Sequence, residues 1–410
     1  MNYIDLFAGA GGLSEGFIQA GFIPLAHVEM NSQACQTIKT RLCYHYLKKK
    51  KREALYFQYL RKEISRNELY AQIPKAILDT VINQEISEKT IKGIFERVDQ
   101  LCIGKKIDII IGGPPCQAYS MAGRAKQKKL EEQKKTDTRN YLYKFYCRFL
   151  KKYQPEMFVF ENVPGLLTAC GGKYFKNLKS YLKRVGYQID CKTINSNDFG
   201  VLQNRKRIII VGWKIGRNYT FPELNPIKHD YLVNDLLKDL PAIQAGEEKN
   251  EYVGDASKYL KRFSLRCKHD VLTYHIARPH IERDKEIYRK TIQAWNNGHQ
   301  RLKYSNLPAE LITHKNISSF LDRFKIVEGD MPACHTMMAH ISKDGHYFIH
   351  PDIEQARSIT VREAARIQSF PDSYYFEGGR TAAFTQIGNA VPPLMAKAIA
   401  KKIKEQLEEK

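Results

Sequence analysis

The run Ile107-Asp108-Ile109-Ile110-Ile111 stops abruptly at Gly112-Gly113-Pro114-Pro115-Cys116-Gln117. A short β-branched apolar run bounded by glycine and proline has the character of a buried parallel strand, and in open α/β sheets ligands bind just beyond the carboxyl ends of such strands. Cys116 therefore stands where reactive groups usually sit, although an isolated cysteine is most often a small buried thiol. Tyr3-Ile4-Asp5-Leu6-Phe7, Ile23 to Val28, Met157-Phe158-Val159-Phe160 and Ile208-Ile209-Ile210-Val211-Gly212 are further strand candidates. The fold class is α/β.

The first of these strands runs into Ala8-Gly9-Ala10-Gly11-Gly12 and a helix from Leu13 to Ala20. Glycines let a ligand approach the backbone, and the helix start offers free N–H groups at its positive end. The next strand ends in Glu29, about 20 residues after the turn, where a carboxylate can accept hydrogen bonds from ribose hydroxyls. The spacing G-x-G-G differs from the dinucleotide fingerprint and points to an adenosine cofactor without a pyrophosphate.

Composition narrows the partner. The 410 residues carry 66 Lys and Arg against 44 Asp and Glu, a formal charge of +22. Such a surplus signals a polyanion, and a nucleic acid fits better than a membrane because no apolar stretch reaches the roughly 18 residues of a span. The start, Met1-Asn2-Tyr3-Ile4-Asp5, has no signal-peptide pattern. Nine cysteines without a Cys-x-x-Cys pair suit a reducing cytoplasm and provide no metal-finger spacing.

Five blocks in order, Asp5-Leu6-Phe7-Ala8-Gly9-Ala10-Gly11-Gly12, Gly113-Pro114-Pro115-Cys116-Gln117, Glu161-Asn162-Val163, Gln203-Asn204-Arg205-Lys206-Arg207 and Gln386-Ile387-Gly388-Asn389-Ala390-Val391-Pro392, resemble the cytosine-5 DNA methyltransferase family of bacterial restriction-modification systems. The resemblance covers most of the chain except about residues 41 to 100 and 215 to 330. It implies a Rossmann-like methyltransferase fold with a mostly parallel sheet and a smaller target-recognition domain. It also implies S-adenosylmethionine as cofactor, with S-adenosylhomocysteine as product. The expected division is a catalytic domain over 1–214 with a basic helical insertion at about 41–100, a recognition domain over 215–335, and a return segment over 336–410.

The chemistry suits the residue types. Carbon 5 of cytosine is a poor nucleophile until another group adds to carbon 6, and a thiolate adds readily and leaves again. Cys116 is the expected nucleophile, its pKa lowered by a nearby helix start. Glu161, at the end of its strand, is expected to hold the ring nitrogen and amino group, with burial raising its pKa toward the protonated state. By resemblance Arg207 contacts the flipped cytosine and Arg205 supports the site. The family pattern places Phe7, Gly9, Gly11, Gly12, Glu29, Met30, Pro115, Leu142, Asn389 and Val391 around the cofactor. The acidic residue for the adenine amino group stays open between Glu96 and Asp99.

For DNA, Ser120 matches a phosphate-contacting position, and Gln117 and Arg124 lie beside it in the sequence. Lys126 to Lys135 matches a mobile loop that closes over the base. In the recognition segment no period dominates, and Arg278, His280 and Arg323 are nucleic-acid candidates, although surface basic residues are commonly just solvated. Thr360 is expected to cap a helix that stops before Pro371. The expected partner is double-stranded DNA bound by a monomer, with a restriction endonuclease acting separately. A tRNA cytosine-5 methyltransferase and a catalytically silent nucleic-acid-binding relative are the rival readings.

Overall fold

The computed structural model describes residues 1–115, 142–313 and 321–409. Cys116, Gln117, Ser120, Arg124 and the stretch from Lys126 to Lys135 lie outside the described residues.

Seven strands form one sheet: β1 (Asn2–Leu6), β2 (Ile23–Glu29), β3 (Val81–Asn83), β4 (Ile109–Gly112), β5 (Met157–Asn162), β6 (Tyr187–Asn195) and β7 (Lys206–Lys214). Their spatial order is β3-β2-β1-β4-β5-β7-β6. The first five run parallel, while β7 pairs antiparallel with both β5 and β6. Alternation along the central strands feeds two cores. Ile110, Phe158, Phe160 and Ile210 face one side with α6 (Ile91–Leu101), α7 (Leu142–Tyr153) and α8 (Lys173–Arg184). Ile109, Ile111, Val159 and Ile209 face the other, against α1 (Gly12–Gln19) and the final helix α13 (Pro393–Glu408). Burial on both faces explains why these strands read as unbroken apolar runs.

The helical excursion is shorter than its sequence suggests. The helix α2 (Ser32–Lys49), capped by Asn31, packs its distal half against α3 (Ala54–Leu60), α4 (Arg66–Ala71) and the segment through α5 (Lys75–Leu78). Cys43, Leu47, Tyr56, Phe57, Leu60 and Leu69 make a small core there. Residues 81–101 then return to the scaffold as β3 and α6, so the insertion closes near residue 79 rather than 100.

Val233, Leu236, Tyr259 and Leu272 share a core with Met337, Ile341, Phe348, Ile367 and Phe376, and this core runs on into Ala383, Phe384 and Ile387 of α12 (Arg380–Asn389). The segment after 335 therefore packs on the recognition lobe before α13 packs on the sheet. Within the lobe lie α9 (Lys258–Arg262), the amphipathic α10 (Glu282–Asn296) and α11 (Val361–Ile367). α10 buries Ile287, Tyr288, Ile292 and Trp295 where the sequence displayed no dominant period. Thr360 caps α11 as expected, in a reciprocal box with Glu363. No helix among the described residues is long and apolar enough to cross a membrane.

Candidate active site

A cleft of about 2510 Å³ opens along the carboxyl ends of β1, β2, β4 and β5 and is closed on its far side by the recognition lobe. Sites for a small ligand alone typically span about 300–1,000 Å³, so this one has room for a cofactor and a part of a larger substrate.

One end is built on the glycine turn. Phe7, Gly9 and Gly11 all take left-handed backbone angles, with φ of 57°, 54° and 79°. Glu29 braces the turn, its Oε2 accepting from the Gly9 N–H at 2.8 Å and its Oε1 from the Asn31 N–H at 2.8 Å. A Cβ on Gly12 would stand 2.3 Å from the Val391 carbonyl oxygen, so only glycine lets the two ends of the chain meet here. Phe7, Gly9, Gly12, Glu29, Met30, Pro115, Leu142, Asn389 and Val391 all line the cleft, and Met30 is left 62% exposed to it. Gly11 shapes the turn without lining the cleft.

Two acidic residues there were not anticipated. Asp5 is 1% exposed, yet its Oδ2 has no hydrogen-bond partner, and burial and then the charge of Glu29 push its pKa well up. Glu85, just beyond β3, also lines the cleft. Glu96 and Asp99 do not; Asp99 accepts from Tyr153 and pairs with Lys152 at 2.9 Å on the back of α7. The signal for Glu85 was its place at the end of a strand only three residues long, too short to stand out.

The other end holds Glu161 beside Gly113-Pro114-Pro115. Glu161 Oε1 lies 2.9 Å from Arg207 Nε, with both side chains largely buried. A Cβ on Gly113 would come within 2.7 Å of Glu161 Oε2, so the glycine opens the space the carboxylate fills. The neighbouring Asn162 donates to the Pro114 carbonyl at 3.3 Å and fixes the loop. Glu161 stands at the end of its strand as expected, largely buried and ion-paired. Arg207 reaches this edge because β7 runs opposite to β5, setting the start of β7 beside the end of β5.

Arg205 stands behind Arg207 as a support. It is 1% exposed and donates to the backbone carbonyls of Met337 at 2.6 Å and Gly388 at 3.0 Å. Its two terminal nitrogens thereby tie the recognition lobe and α12 to the catalytic sheet, behind the cleft that the residue also lines. Arg278 likewise donates to the carbonyls of Ile341, Ser342 and Lys343. His280 bonds Ser358 Oγ at 2.9 Å and the Tyr288 hydroxyl, with its pKa pushed down to about 3 by burial and then His346. Both hold the lobe together from within, because long basic side chains serve loop carbonyls as readily as phosphates. Arg323 lies with its guanidinium 3.9 Å over the Tyr304 ring, away from the cleft lining. The cleft wall of the recognition lobe is made by Thr336, Met338, Ala339, His340, Lys343 and Tyr347, none of which a sequence pattern marks.

The C-5 cytosine-specific DNA methylase model matches residues 1–405. The chain belongs to that family. It is 42% identical to the type II methyltransferase M.Bpa9945I of Bacillus paralicheniformis, across 99% of each chain. It is 31% identical to the type II methyltransferase M1.HphI of Haemophilus parahaemolyticus, over 98% of this chain and 86% of the relative. A solved E. coli structure described as a prophage-encoded DNA modification methyltransferase shares the fold of this family member with a TM-score of 0.63 at 23% identity, covering 100% and 99% of the two chains.

Proposed function

We propose that this methylase modifies carbon 5 of a cytosine flipped out of duplex DNA, at a specific sequence, using S-adenosylmethionine and a covalent Cys116 adduct. The observation that carries the reading is the Glu161–Arg207 pair standing beside the loop that leads to Cys116, in one cleft with the glycine turn. A base inside the stack presents neither face of carbon 6, so the substrate must be everted to react.

The cofactor end fits a positively charged nucleoside. The orphaned carboxyl of Asp5, the Glu29 carboxylate and the open Met30 side chain offer an acceptor for an ammonium, acceptors for ribose hydroxyls and an apolar face for a base. Glu85 is the acidic residue suited to an adenine amino group. S-adenosylmethionine, when bound, supplies an electrophilic methyl group on a sulfonium that carbon 5 takes up, leaving S-adenosylhomocysteine.

The chain's own residues prepare the ring. The Cys116 thiolate forms a bond to carbon 6, and the displaced π electrons make carbon 5 nucleophilic. Glu161 engages ring nitrogen 3 and the exocyclic amino group, where it shares the proton that balances this charge, while Arg207 fixes the carboxylate and offers its remaining N–H donors to the base oxygen. Loss of the carbon 5 proton to a base then expels the thiolate and restores the ring. The methylase works as a monomer beside a separate endonuclease of the same specificity.

Bisulfite sequencing of DNA from cells expressing the protein should reveal one protected sequence. A 5-fluorocytosine duplex of that sequence should trap the enzyme covalently, and Cys116→Ser should abolish the adduct. Labelled methyl transfer to tRNA in place of duplex DNA would overturn the reading.

A further inference from the structure

A strongly charged face outside the cleft is not accounted for by the chemistry proposed above. The helix α8 carries five cations and no carboxylate among its 12 residues. Leu178 and Leu182 bury its inner side, while Lys173, Lys176, Lys179, Lys183 and Arg184 are all exposed. None of the five has an ion-pair partner among the described residues. The neighbouring α7 is a contrast. It too carries four cations and no acid, yet Arg148 pairs with Glu88 at 2.6 Å and Lys152 with Asp99 at 2.9 Å, carboxylates that reach it from the α6 side of the layer. On the other flank of α8, Asp190 of the edge strand β6 accepts from the Cys191 N–H and pairs with none of the five.

Like charges three or four residues apart repel on one helix face, as Lys173 does Lys176 and Lys179 does Lys183. The free protein leaves that repulsion standing, and a bound polyanion would relieve it. The charges are also held in place. Lys179 Nζ lies 5.4 Å over the Phe175 ring and the Arg184 guanidinium 5.6 Å over the Tyr181 ring, so the stems rest on aromatic faces while the heads stay in water. The row begins beside the cleft, because β5 ends at Asn162, Gly165 still lines the cleft, and only two short turns precede Lys173. From there α8 runs back along the sheet for about 18 Å at about 1.5 Å per residue, the length of about five base pairs of duplex.

We infer that the outer face of α8 is a second DNA-contact surface, on which the backbone of the flanking duplex lies once it has left the cleft. This rests on the methyltransferase reading. Lysines along a helix answer phosphates by charge and carry no sequence information, so the contact adds affinity for any flank and reads no base there. Because the row lies at one side of the cleft, it lengthens the footprint on one side of the target only.

The test uses two duplexes carrying the site found by bisulfite sequencing, one with about 5 and one with about 20 base pairs on each side. A variant combining Lys173→Gln, Lys176→Gln and Lys179→Gln should bind the long duplex about tenfold or more weakly and the short one within about twofold of the wild type. On the long duplex the slope of log affinity against log salt should shrink by about 2 to 3, one phosphate for each lysine. The hydroxyl-radical footprint should shorten on one side alone. Tm and single-turnover methylation at saturating DNA should not change, and arginine at the three positions should restore the affinity. Equal loss on both duplexes, no loss on either, or a footprint of unchanged length would overturn the proposal. A wild-type protein that methylates no DNA would sink the methyltransferase reading instead.

Discussion

Gly113 shows how tightly the chemistry constrains single residues. Its missing side chain is the space that Glu161 Oε2 occupies, 2.7 Å from where a Cβ would stand. Gly113→Ala should cut kcat by about tenfold or more through displacement of the carboxylate, with little change in Tm, because a misplacement of about 1 Å can cost that much. Steady-state kinetics with a thermal melt checks it. Asp5 makes the converse case. Burial raises its pKa, so the fold favours the protonated form and keeps a penalty at every pH above the unfolded value of 3.8. Asp5→Asn should raise the Tm of the free protein at pH 7 yet weaken S-adenosylmethionine binding, as calorimetry would read. A variant that is less stable, or that binds as before, would remove Asp5 from the cofactor site.

At the scale of elements, the recognition lobe is held by buried charge. Arg366 on α11 meets Asp239 and Asp372 at 2.6 Å each, with all three side chains almost fully buried. Replacing such a lattice by apolar residues can be neutral, whereas removing one partner strands the others. Arg366→Ala removes the cation shared by both carboxylates, leaving Asp239 to Arg266 and Asp372 to Arg362 and the Tyr252 hydroxyl, and should cost about 3 kcal/mol, measured by urea unfolding. Arg205 joins elements in another way, since one side chain bonds a recognition-lobe carbonyl and the carbonyl of Gly388 in α12. The same logic applies to Arg278 and His280, whose hydrogen-bond partners come from the lobe itself. A basic residue in a polar, aperiodic stretch looks solvated until the carbonyls it serves are folded around it.

For the whole molecule, charge and titration set the conditions of work. The +22 surplus predicts that DNA affinity falls at least about tenfold between about 50 and about 200 mM salt, as counterions are no longer released on binding at equal gain. A flat titration would show that the surplus is not spent on phosphates. Stability should depend on acid through histidines kept neutral by burial. His27 and His280 are pushed down to about 3 and His350 to about 4, from 6.5 in the unfolded chain. Unfolding therefore takes up protons below pH 6.5, so stability is full above that value and is lost progressively as pH falls toward 4. Urea midpoints between pH 7 and 4.5 should decline steadily; a constant midpoint would contradict the neutral assignment.

Five of the seven strands were legible in the residues, because a run such as Ile109-Ile110-Ile111, buried on both faces, has no reason to alternate and must end where glycine and proline break it, whereas the short β3 and the half-exposed β6 lack such a run. Also legible were the glycine turn and the Thr360 cap, since each is a local pattern with a local physical cause. The tertiary structure alone decided the rest. The antiparallel insertion of β7 brought Arg207 to Glu161, sheet pairing claimed β3 and hence Glu85 for the cleft, and packing turned Arg205 inward. These outcomes depend on contacts between residues as much as 183 positions apart, as for Arg205 and Gly388, and no window of sequence contains both partners.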